Sequence, residues 1–152
     1  MKSIDKINSY QIIHTQWSGL FDPNVPLISN LSNASALLYK ELKPWWVGFY
    51  LVEGDDLYLG PFQGPVACTR IPKGKGVCGS SWEKQATIIV PDVHKFPGHI
   101  ACSEISNSEI VIPIFHNGDV WGVLDIDSAD FNTFDEVDAL ELEKFCASLT
   151  FK

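Results

Sequence analysis

The stretch EIVIPIFHNGDVWGVLDID, residues 109–127, decides the fold. Two apolar runs, 109–115 and 119–127, flank Asn117 and Gly118, a pair that accepts the positive φ angles of a two-residue hairpin turn. The runs are therefore expected to be antiparallel neighbours. Three more strand-like runs precede them: WWVGFYLV (45–52), DLYLGPFQ (56–63) and ATIIV (86–90). Glu53, Gly54, Asp55 and Asp56 join the first two, again as a hairpin, so a sheet of about five or six strands is expected. Upstream, Ile4, Ile7, Ile13, Trp17 and Leu20 recur at near-helical spacing until Asp22, Pro23 and Asn24 break the pattern. Pro26 suits the first turn of a second helix, which carries Leu27, Leu31, Ala34, Leu37 and Leu38 on one side and must stop near Pro44. Downstream, TFDEVDALELEKFCASL (133–149) opens with Thr133 and Glu136 at capping-box spacing and continues as an amphipathic helix. Helices gathered at both ends of a mainly antiparallel sheet predict an α+β layer architecture, with residues 1–152 as a single domain.

A chain of 152 residues is long enough to build a core without disulfide staples, burying about two-thirds of its unfolded surface. Nineteen acidic residues against eleven basic ones give a net charge of −8, and the longest basic grouping is Arg70, Lys73 and Lys75 around a turn. That balance speaks against nucleic acid as a partner. No apolar run reaches the roughly 18 residues of a membrane span, and MKSIDKINSYQ has neither the apolar region of a secretory signal nor the Arg-rich look of a transit peptide. The expected location is cytoplasmic, where thiols rest reduced and a disulfide is more often a catalytic intermediate than a staple.

Cys68, Cys78 and Cys102 lie in Gly/Pro-marked segments, GPVACTRIPKGKGVCGSSWE (64–83) and HKFPGHIACSEIS (94–106), where a structural thiol is unusual. The arrangement suggests redox chemistry, in which one thiolate attacks an electrophile and a second thiol resolves the product as a disulfide. Zinc is the competing reading. The intervals of 10 and 24 residues between these cysteines fit no common structural site, and neither C-x-x-C nor H-x-x-x-H pairs occur, so no metal is expected. Cys146, beside Leu142, Phe145 and Leu149, reads as core. Cys78, where GKG can begin a short helix, reads equally well as buried filler or as a spare resolving thiol. The segment PDVHKFPGHIACSEISNS (91–108) is long enough to be a lid or binding loop.

The order of helices and strands resembles a GAF domain. Within it, ACTRIPKGKGVCG (67–79), VPDVHKFPGHIACSE (90–104), SEIVIPIF (108–115) and GVLDIDS (122–128) resemble the free methionine-(R)-sulfoxide reductases. The resemblance covers nearly the whole chain. It implies a six-stranded sheet with the long loop closing over a small-molecule pocket, and thiol-dependent reduction of free L-methionine (R)-sulfoxide. No cofactor is implied; thioredoxin and its NADPH system act as external reductant. Position by position, Cys102 matches the nucleophile, Cys68 the resolving thiol that forms a Cys68–Cys102 disulfide, and Cys78 a third cysteine of less settled role. Glu109, Asp125 and Asp127 match a substrate-binding acidic cluster, and Trp46 an aromatic wall for the substrate's methyl end. Ser103, after the nucleophile, stands where Asp or another polar residue is usual.

The residues make sense of that reaction. A sulfoxide sulfur accepts a nucleophile only when its oxygen is protonated or strongly hydrogen-bonded, and a buried carboxyl crowded by others holds a proton at neutral pH. Asp125 and Asp127 alternate on one strand and point to the same face; whether Glu109, on the hairpin partner, joins them depends on register. Such a cluster can also pair with the α-ammonium of a free amino acid, which a peptide-bound methionine lacks. The same carboxylates should hold Cys102 as a thiol, so His99, amides of the 97–101 loop or the substrate's ammonium must offset them. His94 and His99 support either the fold or the site, and His14 and His116 read as solvated or satisfied. Trp45 and Trp46 alternate across the sheet, so one belongs to the core. The competing functions are a GAF small-molecule sensor, disfavoured by the lack of an output segment, and a cysteine redox sensor. Strand edges and the helical hairpin also suit a homodimer.

Overall fold

The computed structural model describes residues 3–100, 102, 104–149 and 151. The hairpin signal at 117–118 is realised between β5 (Ser108–His116) and β6 (Asp119–Ser128), with Asn117 and Gly118 both at positive φ. β1 (Trp46–Glu53) and β2 (Asp56–Gln63) form the second hairpin, closed by Gly54 and Asp55. Two three-residue strands complete the sheet, β3 (Arg70–Pro72) and β4 (Ile88–Val90), in the order β3-β2-β1-β6-β5-β4 with every pairing antiparallel. β3 is too short for its alternation to be visible in the sequence. The run 86–90 contracts to its last three residues.

Alternation divides the sheet into two buried faces. Val47, Phe49, Ile110, Ile112, Ile114, Leu124 and Ile126 face the helices α1 (Ser3–Leu20), α2 (Leu27–Leu42) and α4 (Glu136–Ala147), and form the main core. Trp46, Tyr50, Val111 and Val123 face the other way, toward α3 (Gly76–Lys84) and the loops around it. The central strands are therefore apolar on both sides, which is why they read as continuous runs rather than alternating ones. Among the described residues no helix is long and apolar enough to cross a membrane.

The helices correct three details of the sequence reading. Along α1 the buried stripe is Lys6, Tyr10, Ile13 and Trp17, while Ile4, Ile7 and Leu20 are exposed. Pro26 is the N-cap of α2 rather than part of its first turn. The cap of α4 is Asp135, whose carboxylate accepts from the amide of Val137, with Asp138 closing the capping box; Thr133 instead donates to the Ser128 hydroxyl. The change has a reason in packing. Asp138 is wanted inside, where it accepts from Lys6 Nζ at 2.6 Å and from the Tyr10 hydroxyl at 2.6 Å. Lys6 also donates to the Thr133 carbonyl at 2.8 Å, so α1 is tied to the start of α4 by a buried ion pair. Lys6→Met should cost about 3–5 kcal/mol, because it strands the Asp138 charge in the interior. Urea unfolding should show a lower midpoint at unchanged slope; an unchanged midpoint would mean that the pair contributes nothing net.

Candidate active site

Register settles the position of Glu109. It pairs directly with Asp127, Asp127 pairs on its other side with Trp46, and Asp125 lies between Val111 and Gly48. Paired residues project to the same face of a sheet, so Glu109, Asp125, Asp127 and Trp46 all point away from the three-helix core into one cavity. Glu109 and Asp125 are each 6% exposed and Asp127 is half-buried. Trp46 is buried, its ring stacked on Phe62 at 5.4 Å and on Tyr50 at 5.9 Å. It lies flat over Gly48: a Cβ at that position would stand 2.5 Å from the indole edge and 2.5 Å from the Cβ of Phe62. Any side chain at 48 would lift the aromatic wall off the sheet. Trp45, the expected core member of the pair, lines the cavity as well, since it stands just before β1 where strand alternation has not begun.

The wall residues also position the first cysteine loop. Trp46 Nε1 donates to the Pro65 carbonyl at 3.1 Å, and the Tyr50 hydroxyl donates to the Cys68 carbonyl at 2.9 Å. The opposite loop is anchored at its base by Asn107, whose backbone amide donates to the Ser128 carbonyl and whose side chain meets the Ala129 carbonyl and His94. The two loops meet where Cys68 and Cys102 are joined in a disulfide with Cα atoms 5.6 Å apart, the pairing implied by the family resemblance. Cys78 and Cys146 are free and buried. The free thiols expected at rest in a reducing compartment are thus seen only for these two. Ala101 and Ser103 lie outside the described residues.

Cys78, near the start of α3, lies at the floor of the cavity beside the acids. Its sulfur and one oxygen each of Glu109 and Asp125 are all within 4.8 Å of one another. Burial pushes all of these groups toward their protonated forms. Glu109 is raised well above the usual carboxylate range by burial and then by the Asp125 and Asp127 charges; Asp127 is raised by burial and by Asp125; Asp125 is raised by burial, opposed by contacts with Glu109 and Cys78. The Cys78 thiol is pushed well up by burial and by Asp125. The Oδ1 atom of Asp125 and the hydroxyl of Ser106 are buried without a hydrogen-bond partner of ordinary geometry. His99 Nε2 stands 3.8 Å from Glu109 Oε1, and burial lowers its pKa, so it meets the acids as a weakly basic imidazole. The arrangement can donate protons at neutral pH and attract a cationic group, next to a disulfide that is partly exposed.

A raised carboxyl pKa lowers stability as pH rises, because the folded state holds a proton that the unfolded chain has released. Glu109→Gln should accordingly be more stable than the parent above about pH 5, where an unfolded Glu ionises, and the gain should vanish near pH 4. Thermal unfolding at both pH values tests this. An equal or lower Tm for the variant at pH 8 would contradict the electrostatic reading.

All seven sequence candidates occupy this place: Trp46, Cys78, Cys102, Glu109, Asp125 and Asp127 line the cavity, and Cys68 is bonded to Cys102 at its rim. Tyr50 and Ser106 were not singled out in the sequence. Tyr50 shares strand parity with Trp46, a signal that was available, whereas Ser106 has none. His94 hydrogen-bonds Asn107 at the base of the loop, and His14 meets Glu141 on the far side of the molecule.

The GAF domain family model matches residues 18–149. The chain is 44% identical over 147 residues to the free methionine-R-sulfoxide reductase of Escherichia coli (strain K12), covering 96% of this chain and 89% of the relative. It is 49% identical over 137 residues to the protein of the same name from Saccharomyces cerevisiae, covering 84% and 76%. The solved structure of the free methionine-R-sulfoxide reductase from Neisseria meningitidis in complex with its substrate superposes with a TM-score of 0.90 at 47% identity, covering 92% of this chain and 85% of that one.

Proposed function

The chain belongs to the free methionine-(R)-sulfoxide reductase family of GAF-domain enzymes, and from that premise we propose that it reduces free L-methionine (R)-sulfoxide through Cys102 and Cys68, with thioredoxin as the electron donor. The observation that carries this reading is the meeting, in one cavity, of the Cys68–Cys102 disulfide with three carboxyls whose hold on a proton burial strengthens, Glu109 and Asp127 most of all. The disulfide supplies a two-electron couple and the carboxyls supply the proton that a sulfoxide oxygen needs.

In the proposed cycle the reduced enzyme binds the amino acid with its α-ammonium on the Glu109, Asp125 and Asp127 cluster and its methyl group against Trp46. A carboxyl proton moves onto, or hydrogen-bonds, the sulfoxide oxygen. The Cys102 thiolate attacks the sulfur, the oxygen passes to Cys102, and methionine leaves two electrons richer. Cys68 then displaces hydroxide from the Cys102 sulfenic acid; the hydroxide leaves as water and the S–S bond seen in the structure forms. Two thiols of thioredoxin restore both cysteines. The sum is sulfoxide plus dithiol giving methionine, disulfide and water.

Selectivity for the free amino acid follows from burying acids that only a free ammonium can pair. NADPH consumption coupled through thioredoxin and its reductase tests the whole reading, with separated R and S free sulfoxides and an N-acetylated analogue. Turnover with the free R form alone is expected. No turnover with any of them, together with disulfide formation on exposure to peroxide, would replace the enzyme reading by a redox sensor.

A further inference from the structure

Cys78 lines the cavity and takes no part in the proposed cycle. It is 4% exposed, and its sulfur shares a space with one oxygen each of Glu109 and Asp125, all within 4.8 Å. We propose that Cys78, Glu109 and Asp125 form a three-donor binding site for Zn2+ or a similar borderline divalent cation, leaving the fourth position to water. The donors come from three elements, α3, β5 and β6, held rigidly by the sheet and the helix start.

A tetrahedral zinc ion with bonds of roughly 2.3 Å to sulfur and 2.0 Å to oxygen and nitrogen sets its ligand atoms about 3.3–3.5 Å apart. The observed set, within 4.8 Å, has to contract by at most about 1.5 Å, a distance within the range of side-chain rotation. A separate feature points to an absent occupant. Asp125 Oδ1 and Ser106 Oγ are buried in the same cavity with no hydrogen-bond partner of ordinary geometry, a costly arrangement unless something enters to satisfy it. The mixture of thiol and carboxyls selects zinc, cobalt or cadmium over magnesium and calcium, which favour oxygen alone.

Binding forms one bond to sulfur and two to oxygen, and releases to solvent the thiol proton and those held on the carboxyls; no electrons move. Glu109 and Asp125 cannot serve a metal and an ammonium together. On the proposed function, to which only this consequence is tied, zinc is a reversible inhibitor competing with the amino acid.

The test uses the disulfide-bonded protein, in which Cys68 and Cys102 cannot chelate. Zn2+ should bind calorimetrically with a stoichiometry of one and raise Tm, and Mg2+ should do neither. Co2+ should give a thiolate-to-cobalt charge-transfer band. Cys78→Ser, nearly isosteric, should abolish the band, and Glu109→Gln should weaken Zn2+ binding about tenfold or more. Absence of saturable Zn2+ binding, a charge-transfer band that survives Cys78→Ser, or Zn2+ affinity unchanged in both variants would overturn the proposal. None of these readouts depends on reductase activity, so the site and the function fail separately.

Discussion

Cys102→Ser is expected to lower kcat/KM for free methionine (R)-sulfoxide by about a million-fold, the scale seen when a covalent nucleophile is removed while the binding pocket is kept. A serine hydroxyl is almost wholly protonated at neutral pH, and among the described residues no imidazole is hydrogen-bonded to Cys102 to take its proton; His99 is directed at Glu109. The comparison belongs between reduced proteins, since the variant also lacks the Cys68–Cys102 bond that closes a 34-residue separation. Substrate binding should persist, because the acids and Trp46 are untouched, so a KM near the parent's with a collapsed kcat is the signature. Full activity in Cys102→Ser would remove the nucleophile assignment altogether.

The second large effect is a change in kinetics. Cys68→Ser should release one methionine per protein in a burst and then stall with thioredoxin, because the Cys102 sulfenic acid has no neighbour to convert it into a disulfide. The accumulated species should react with a sulfenic-acid-selective dione and appear as a single mass adduct on Cys102. Cys78 is the only other thiol near the site, and it is poorly suited to substitute: burial and the Asp125 charge hold it in the unreactive thiol form. Steady turnover of Cys68→Ser with thioredoxin would show that Cys78, or thioredoxin itself, resolves the sulfenic acid. Linking the two results, the first variant loses the chemical step and the second loses only the recycling.

Much of this is legible in the amino-acid sequence alone. The Asn117 and Gly118 turn, the alternation of Asp125 with Asp127 and the break at Asp22 to Asn24 are local signals. A two-residue turn needs particular φ angles, and a strand has a period of two whatever surrounds it. The cysteine loops were visible for a similar reason, as thiols in Gly- and Pro-rich segments. Local signals failed where partners lie far apart in the chain. The face of α1 was misread because Lys6 is buried, and nothing near Lys6 announces Asp138, which receives its charge 132 residues later. The cap of α4 moved from Thr133 to Asp135 for the same reason.

The sequence by itself determined the helices at both ends, five of the six strands, both hairpins, the α+β class and the residues able to do thiol and acid chemistry, because each of these rests on short-range geometry or on side-chain identity. Only the tertiary structure decided that Glu109 faces the same way as Asp125 and Asp127, that Trp46 lies over Gly48, that Cys68 reaches Cys102, and that Cys78 stands beside the acids. Strand register and loop closure are set by how two buried faces of one sheet are filled at once, and those contacts join residues too far apart for any local pattern to record.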